Sequence, residues 1–233
     1  MSVAGSLLVA EIVSASDGSK GRQHATIPCA RAFARLEIPV GVRQRLAVPE
    51  TAKTLPPRER VAFLSRHARK ALQISATESN LIIGAALKDR DGRPQPVKGV
   101  YWSLTHKPAY VGAIVARRRV GIDIETIVQR KTEALFNKVA DSDEWALIGS
   151  RSWEGFHRYW TAKEAVLKAD GTGLEGLSRC RVVAIPDANS LIVKIRRRRM
   201  TVEHVYFDGH IASVAKTAGT VHWTLLGSSA GTD

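Results

Sequence analysis

The sequence predicts an α+β fold, and it allows an arrangement in which an α+β lobe occurs twice with a ligand site at the seam. Two segments with helical periodicity, at about 58–72 and 152–169, alternate with β-prone stretches. A weak internal echo relates residues 110–124 to residues 210–226, since each range is typical of a β-hairpin that follows a major helix. β-Hairpins also resemble one another by chance. Because ligands commonly bind between two packed units, the echo allows a duplicated lobe with its site at the seam.

Length and composition indicate one compact unit or two small, closely packed lobes. The chain has 233 residues, of which 44% are hydrophobic, enough for a proper core. No apolar run approaches the roughly 18 residues that a membrane span needs, and residues 6–13 lack the preceding basic residues of a signal peptide, so they predict a first strand. Cys29 and Cys180 are too few for a disulfide scaffold or a metal cluster. We therefore expect a cytoplasmic protein with reduced cysteines and no membrane partner.

The one unusual bulk property is a formal net charge of +13. Such a charge favours anionic partners, which include nucleotides, acidic proteins, nucleic acid and membrane surfaces. Arg196–Arg199 are the obvious candidates for contact with nucleic acid. They lie between strand-like stretches at 191–195 and 201–207, however, where a solvated hairpin tip is also expected. Charge alone leaves both interpretations open.

The first half of the chain predicts one helix and several short strands. A proline-containing loop at 40–57 leads into the helix, whose apolar stripe is formed by Val61, Leu64, Ala68 and Leu72. The predicted elements that follow are a strand at 81–87, a turn at Asp91-Gly92-Arg93-Pro94, strands at 101–105 and 110–116, and a turn at Arg117-Arg118-Arg119. The next strand carries the first of two acidic motifs.

The second half of the chain predicts three helices followed by strands. A candidate helix at 131–139 precedes Asp141, which supplies an N-cap for a short helix at 145–148 with an acidic first turn. The longest helix comes next, and Gly171 is well placed to end it. Residues 181–226 are strand-rich.

Two acidic motifs carry the predicted chemistry. In Gly121-Ile122-Asp123-Ile124-Glu125, the side chains of Asp123 and Glu125 leave one face of a strand because they are two residues apart. In the helical motif that starts at Trp160, Glu164 and Lys168 share a face because they are four residues apart. Mg²⁺ is commonly held by one or two carboxylates together with substrate phosphates and water. Three carboxylates beside a lysine therefore predict a Mg²⁺ site against a pyrophosphate, where phosphoryl transfer depends mainly on alignment and charge.

Each signal also has a simpler structural explanation. An Asp-x-Glu pair on an edge strand is commonly a solvated face, and a Glu and a Lys four residues apart commonly form a surface ion pair. Tyr159 and Trp160 fit a role as core anchors, and Gly171 fits a helix stop. His106 fits a hydrogen-bonded structural histidine. The basic turn at 88–94 fits an ordinary hairpin. The order and spacing of the signals together favour a functional site.

Taken together, the motifs resemble the 4'-phosphopantetheinyl transferases of the larger, Sfp-like type. That family's pattern is an apolar-G-I/V-D-x-E strand followed downstream by W-S/T-x-K-E-x-x-x-K, here Val120–Glu125 and Trp160–Lys168, with Gly171–Leu174 after it. Trp102–His106 is similar to the family's F-S-L-S-H strand end, and Gly92-Arg93-Pro94 is similar to its G-K-P turn. The motifs extend over about half of the chain, and the strands beyond them are similar in pattern only.

The resemblance implies a fold and a reaction. The fold is a pseudo-twofold pair of similar α/β lobes with the active site at the seam. Residues 1–116 form the lobe on the adenine and phosphate side of coenzyme A, and residues 117–233 form the lobe with the Mg²⁺-binding and catalytic motifs. Coenzyme A is the co-substrate, which donates its 4'-phosphopantetheine arm to a serine hydroxyl of an acidic acyl or peptidyl carrier protein and leaves 3',5'-ADP. Two fused lobes imply that a monomer suffices.

The resemblance also implies a role for each candidate residue. The implied metal ligands are Asp123, Glu125 and Glu164, and the implied catalytic residues are Asp123, Glu164 and Lys168. Glu164 takes the serine proton and Lys168 stabilises charge on the phosphate. The implied contacts with coenzyme A are Arg58, Lys88, Arg90, Gly92, Arg93, Pro94, Thr105, His106, Lys163 and Lys168. Arg60 and Arg66 are alternatives to Arg58 for the 3'-phosphate.

Three departures from the family pattern concern these contacts. Thr105 replaces a serine and keeps its hydroxyl, and Arg93 replaces a lysine and keeps its charge. Lys107-Pro108 replaces the small polar residues that usually follow the histidine. The resemblance therefore does not imply how this loop contacts the ligand.

A basic nucleic-acid-binding module without catalysis is the rival prediction, and it depends on the net charge and Arg196–Arg199. Aromatic residues make up only 6% of the chain and are not interleaved with the basic clusters, and the sequence has no recognisable nucleic-acid-binding motif. A third possibility is a decayed transferase that only binds partners. The intact Asp123, Glu125, Glu164 and Lys168 argue against decay. We therefore favour the enzyme and regard nucleic acid as an improbable partner.

Overall fold

The computed structural model describes residues 6–13 and 51–226. The described strands are β1 Ser6–Val13, β2 Tyr101–His106, β3 Tyr110–Ala116, β4 Gly121–Thr126, β5 Cys180–Asp187, β6 Ser190–Ile195, β7 Arg198–Phe207, β8 His210–Lys216 and β9 Thr220–Leu226. The described helices are α1 Thr51–Thr54, α2 Pro57–Glu78, α3 Ala134–Val139, α4 Ser142–Ile148, α5 Trp153–Asp170 and a 3₁₀ helix at Gly173–Arg179. This mixture of helix and sheet confirms the predicted α+β class.

The strands form two sheets. The first has the order β2-β3-β1-β9, in which β1 and β3 are parallel and the outer pairs are antiparallel. The second has the order β4-β8-β7-β6-β5 and is antiparallel throughout. β2 and β4 are edge strands of different sheets, and they pack against each other where the sheets meet.

Three apolar clusters hold the elements together. α2 packs on the first sheet through Leu64, Ala68 and Leu72, and α5 packs on the second sheet through Ala162 and Val166. The third cluster lies between the sheets and includes Tyr110, Ile114, Ile122, Ile124, Val205, Phe207, Ala212 and Val214. The layers therefore follow the order helix, sheet, sheet, helix, and burial of these apolar faces stabilises the stack.

Residues 81–87 form no strand, contrary to the prediction. Ile83 and Ala86 are buried, whereas Ile82 is 90% exposed. Arg69 on α2 donates from Nη1 to the carbonyl oxygen of Ala86 over 2.7 Å. The side chain of Arg69 thus provides a hydrogen bond to the backbone of this segment, where a bond from a neighbouring strand was expected.

α2 is longer than the helix predicted at 58–72, since it continues to Glu78. The predicted apolar stripe is buried except for Val61, which is 53% exposed. Ser75 is buried in the added part of the helix, and its Oγ accepts a hydrogen bond from the amide of Val115 over 3.1 Å. Ser75 is a polar residue at a core position and interrupts the apolar periodicity. The extension of α2 was therefore not predicted from the sequence.

The two stretches of the internal echo are not hairpins, which corrects the prediction. The turn after β3 carries the chain from the first sheet to β4 in the second, and the turn after β8 carries it back to β9 in the first. A short connection between two apolar strands looks the same in sequence whether the strands pair or separate. Because β9 rejoins the first sheet, sheet membership does not follow the division into 1–116 and 117–233. The pseudo-twofold lobes stay a prediction.

Several local predictions are confirmed. Asp141 caps α4 by accepting a hydrogen bond from the Glu144 amide over 3.0 Å, and the Glu144 carboxylate accepts one from the Asp141 amide over 3.3 Å. Gly171 ends α5 with a φ of 78°, in the left-handed region that favours glycine. Arg196–Arg199 form the exposed tip of the β6–β7 hairpin and the start of β7.

The structure describes one of the two cysteines. Cys180 is a free, buried thiol, and burial raises its pKa to about 12. Cys29 and most of the predicted loop at 40–57 lie outside the described residues. Within the described ranges, the helices are too short or too polar to cross a membrane.

A buried ion pair joins α5 to α4. Lys163 Nζ lies 2.7 Å from Glu144 Oε1 and donates to the carbonyl oxygen of Val139 over 2.6 Å. Glu144 also accepts a hydrogen bond from the Val182 amide in β5 over 2.7 Å. The pair connects α3, α4, α5 and β5, and both of its side chains are almost completely buried.

α5 lies directly on β4 because residue 121 has no side chain. A Cβ at Gly121 would lie 2.0 Å from the carbonyl oxygen of Ala165 and 2.7 Å from the amide nitrogen of Ala169. Both atoms belong to the backbone of α5, so they cannot move without moving the helix. Gly121 therefore sets the distance between the strand and the helix that carry the two acidic motifs.

We expect Gly121→Ala to destabilise the fold by about 3 kcal/mol, the upper part of the range for overpacking, because the added methyl group forces α5 away from β4. Gly84→Ala is the matched control, since a Cβ there would meet nothing within 4 Å. We expect the control to change the free energy of unfolding by less than about 0.5 kcal/mol. Denaturant unfolding measures both. Equal stability of the two variants would contradict the contact at Gly121.

We expect Lys163→Met to lower the free energy of unfolding by about 3–5 kcal/mol, because Glu144 then stays buried without its counter-ion. Lys131→Met is the control, since Lys131 is exposed outside the helices, and a change of less than about 0.5 kcal/mol is expected there. Both are read from denaturant unfolding. A loss at Lys163 no larger than at Lys131 would show that the buried pair does not hold α5 to α4.

Candidate active site

β4 and α5 bring the two acidic motifs to one place. Asp123 and Glu125 alternate with two isoleucines that fill the cluster between the sheets, so the carboxylates face α5. Only 6% of Asp123 and 8% of Glu125 is exposed. Lys168 of α5 contacts Asp123, and Glu164 lies close enough to be repelled by it. The four side chains are thus neighbours, as their spacing predicts.

Side chains from β2 and α5 cover the free edge of β4. The amide of Ile122 donates to Ser103 Oγ over 3.2 Å, and the amide of Ile124 donates to Thr105 Oγ1 over 3.3 Å. Lys168 Nζ donates to the carbonyl oxygen of Ile122 over 3.0 Å. Buried backbone groups of an edge strand need such partners. These bonds fix the acidic strand against the other sheet without a β-ladder.

Asp123 is held on one carboxylate oxygen only. Its Oδ1 accepts hydrogen bonds from Lys168 Nζ over 2.7 Å and from Thr105 Oγ1 over 3.1 Å. Its Oδ2 is buried and has no hydrogen-bond partner among the described residues. An unpartnered buried carboxylate oxygen is unfavourable, and coordination to a cation would satisfy it.

Glu125 has a donor on each carboxylate oxygen. Lys107 Nζ lies 2.8 Å from Oε2, and the indole Nε1 of Trp160 donates to Oε1 over 3.0 Å. Trp160, predicted as a core anchor, therefore also has a polar partner in the acidic cluster. Each oxygen of Glu125 thus has one protein donor, whereas both donors to Asp123 bind the same oxygen.

Glu164 is the least restrained of the three carboxylates. It is partly buried, and within the described part of the chain it makes no hydrogen bond or ion pair. Burial, and then the charge of Asp123, raise the pKa of Glu164 above its ordinary value, while Lys168 acts in the opposite direction. Glu164 is thus a free carboxylate with an increased affinity for a proton or a metal ion.

The predicted three-carboxylate metal site stays a prediction. Across the described residues, no group of three or more histidine, cysteine or carboxylate side chains is arranged to hold a metal ion. Asp123 Oδ2 has no hydrogen-bond partner there, and each oxygen of Glu125 has a single donor. Mg²⁺ commonly takes one or two protein carboxylates and completes its shell with phosphate and water. The oxygens that Asp123 and Glu164 leave free, next to Glu125, therefore fit such an ion.

His106, at the end of β2, lies among positive charges. Burial, and then Lys168, Lys88 and Lys107, lower the pKa of His106, so its imidazole is neutral at neutral pH. Burial, Arg69 and Lys168 lower the pKa of Lys88 in the same way. Like charges collected in a partly buried place attract an anion. This part of the site suits phosphate groups.

The basic turn at 88–94 is built on Asp89. The Oδ1 atom of Asp89 accepts hydrogen bonds from two amides of the turn over 3.0 and 2.8 Å, and the first and last residues of the turn pair with each other. Gly92 has a φ of 78°, which favours glycine. Arg90 and Arg93 are exposed. Their contact with coenzyme A, and that of Gly92 and Pro94, stays a prediction.

Lys163 is wrong as a contact for coenzyme A. It is buried in the ion pair with Glu144 and points away from the acidic cluster. Consecutive residues of a helix face different directions, so its position next to Glu164 in the sequence was misleading. Arg58 is exposed near the start of α2, and its contact with the 3'-phosphate stays a prediction.

Sequence reasoning missed three contributors to the site. Ser103 lies two residues before Thr105, and this spacing could have placed both hydroxyls on one strand face. Lys107 was noted only as a departure from a pattern. Arg69 is one of several basic residues on α2, and nothing in the sequence separates it from the others.

Comparison with known proteins supports the resemblance. Residues 119–219 match a family model described as the 4'-phosphopantetheinyl transferase superfamily. A protein of Haemophilus influenzae that carries the provisional name 4'-phosphopantetheinyl transferase is 31% identical over 114 residues, which cover 46% of this chain and 48% of the relative. Enterobactin synthase component D of Salmonella austin is 30% identical over 91 residues, which cover 37% of this chain and 39% of the relative.

The chain therefore aligns with less than half the length of each relative. The matched segment contains β4 and α5, and thus Asp123, Glu125, Glu164 and Lys168, but not Lys88, Thr105 or His106. Residues 119–219 of this chain are therefore similar to the 4'-phosphopantetheinyl transferase superfamily.

Proposed function

We propose that this protein transfers the 4'-phosphopantetheine arm of coenzyme A to a serine hydroxyl of an acyl or peptidyl carrier protein, in a Mg²⁺-dependent reaction. The observation behind the proposal is the convergence of Asp123, Glu164 and Lys168 within the segment that matches the family. A relative named as a 4'-phosphopantetheinyl transferase supports the same chemistry.

The reaction exchanges a phosphoanhydride bond for a phosphoester bond. The serine oxygen forms a bond to the phosphorus that carries the pantetheine arm, and the bond from that phosphorus to the bridging pyrophosphate oxygen breaks. The leaving group departs as 3',5'-ADP with the electron pair of the broken bond. The serine proton goes to a base of the enzyme. Such a transfer depends on alignment and on charge placed around the phosphate.

Glu164 is the group best suited to take the serine proton. Its carboxylate is free of protein partners among the described residues, and its pKa is raised by burial and by Asp123. A base with a pKa closer to the working pH accepts a proton more readily in the transition state. Lys168 stands on the same helix face, one turn away, where its ammonium group offsets charge that grows on the transferred phosphate.

Asp123, Glu125 and Glu164 are the groups that would hold Mg²⁺, which would neutralise the charge of the pyrophosphate when it is bound. Thr105 positions Asp123 by donating to its Oδ1 atom. His106 is neutral and can donate a hydrogen bond to a phosphate oxygen without adding charge. Lys88 lies near His106 and Lys168, so it is placed for the same phosphates.

An acidic carrier protein is the partner that suits the charge of the chain. The formal net charge is +13, and attraction between oppositely charged surfaces speeds the encounter of two proteins. One chain holds all the groups named for the reaction, so we propose a monomeric, cytoplasmic enzyme.

Among the described residues, no structural observation favours the nucleic-acid alternative. The arginine run forms a hairpin tip, where Arg198 and Arg196 lie 3.1 and 3.9 Å from the carboxylate of Asp170. Part of the charge is therefore neutralised within the protein. Tight, salt-sensitive binding to nucleic acid without transferase activity would favour this alternative.

The decisive test is to incubate the protein with coenzyme A, Mg²⁺ and apo carrier proteins from several pathways. We expect the mass of at least one carrier to increase by a single phosphopantetheine arm, and we expect 3',5'-ADP to appear in equal amount. Mass spectrometry of the carrier and chromatography of the nucleotide measure the two products. If no carrier gains mass while the protein remains folded, the proposed reaction is wrong.

We expect Glu164→Gln to lower kcat by about 10²–10⁴-fold, the usual contribution of a general base, with unchanged unfolding. Glu154→Gln is the matched control, because it makes the same chemical change near the start of the same helix. Near-normal turnover of Glu164→Gln would contradict the proposal that Glu164 takes the serine proton.

A further inference from the structure

Two runs of arginines from distant parts of the sequence meet at the C-terminal end of α5. One run, at 117–119, forms the turn before β4, and the other, at 196–199, forms the tip of the β6–β7 hairpin and the start of β7. Arg119 Nη1 donates to the carbonyl oxygen of Asp170 over 3.5 Å, and Arg198 Nη1 donates to Asp170 Oδ1 over 3.1 Å. Both runs therefore border the last residue of α5, and together they are called the arginine surface below.

The arginine surface carries more positive charge than the protein balances. All seven arginines are exposed. Within the described part of the chain, Asp170 is the one carboxylate at ion-pair distance from any of them, and its side chain is only 5% exposed. Seven positive charges against one negative charge leave a local excess of six. Such an excess attracts an anionic partner.

Contacts within the protein hold the arginine surface in a fixed arrangement. The carboxylate of Asp170 lies between the guanidinium groups of Arg196 and Arg198, at 3.9 and 3.1 Å. The guanidinium of Arg119 lies over the ring of Tyr101, 5.9 Å from its centroid. A group that is already ordered loses less conformational entropy when a partner binds. Guanidinium groups bind carboxylates and phosphates equally through paired N–H donors, so the position of the surface must decide between the two.

The arginine surface adjoins the acidic cluster along two elements. Arg119 precedes Asp123 by four residues, which span at most about 14 Å of extended chain. Asp170 follows Lys168 by two residues on α5. A folded domain of about 100 residues has a radius of gyration of about 13 Å. A small acidic protein that binds the arginines therefore also reaches the site where the acceptor serine must react.

Nucleic acid fits the arginine surface less well. Surfaces that bind single strands commonly present aromatic rings on which bases stack. Tyr101 is the ring next to the arginines, and the guanidinium of Arg119 covers it. Moreover, the proposed reaction consumes a protein acceptor, which has to be held close to the acidic cluster.

We propose that the arginine surface is the docking surface for the acidic carrier protein, whose carboxylates it binds while the acceptor serine enters the neighbouring site. Its arginines are positioning residues, since they contact the partner and leave the reacting atoms to Glu164 and Lys168. The inference rests on the proposed function, because it concerns how the acceptor of that reaction is bound.

The double variant Arg118→Glu, Arg197→Glu tests this inference by transfer kinetics with a carrier protein that the unmodified enzyme modifies. Both side chains are exposed, and neither makes a hydrogen bond or an ion pair within the described residues. We expect KM for the carrier to rise about tenfold, with kcat and KM for coenzyme A changed less than about twofold, because the encounter weakens while the site is unaltered. In 0.5 M NaCl the difference should largely disappear, since the Debye length falls to about 4 Å.

The matched control is the double variant Lys138→Glu, Arg151→Glu, which makes the same change in net charge away from the arginine surface. Both residues are exposed, and Arg151 precedes α5, whose 18 residues extend about 27 Å to Asp170. We expect KM for the carrier to change less than about twofold in this control. An equal rise in both double variants would overturn the proposal, because the total charge alone would then explain it.

The remaining outcomes separate this inference from the proposed function. Transfer with an unchanged KM for the carrier in Arg118→Glu, Arg197→Glu would overturn the docking surface and leave the proposed reaction intact. No transfer by the folded, unmodified protein to any carrier would overturn both. Binding to a short fluorescent DNA duplex that is lost in the same double variant, with an unchanged KM for the carrier, would assign the arginine surface to nucleic acid instead.

Discussion

The close contact between α5 and β4 at Gly121 is the constraint on which the site depends. The two acidic motifs lie on separate elements, and they act together only if the helix backbone rests on the strand. A Cβ at residue 121 would come within 2.0 Å of the Ala165 carbonyl oxygen, so any other residue would separate them. The glycine therefore has the same importance for the site as the charged residues around it, although it carries no chemical group.

The same contact places the site where the two sheets meet. β4 is an edge strand, and an edge inside a protein must find partners for its backbone amides and carbonyl oxygens. Ser103 and Thr105 of the other sheet, together with Lys168, provide them. Thr105 and Lys168 also bind Asp123 Oδ1. Groups that satisfy the edge of the sheet thus also orient the carboxylate, so fold and site share the same hydrogen bonds.

Periodicity explains which parts of this arrangement could be predicted. A two-residue spacing placed Asp123 with Glu125, and a four-residue spacing placed Glu164 with Lys168, because strand and helix geometry fix these directions. Which residues a side chain then contacts depends on elements that are far away in the sequence. Lys163 was assigned to the site, yet Glu144 lies opposite it. The pairing of strands also depends on residues that are far apart in the sequence. For this reason, short turns that connect separate sheets were mistaken for hairpins.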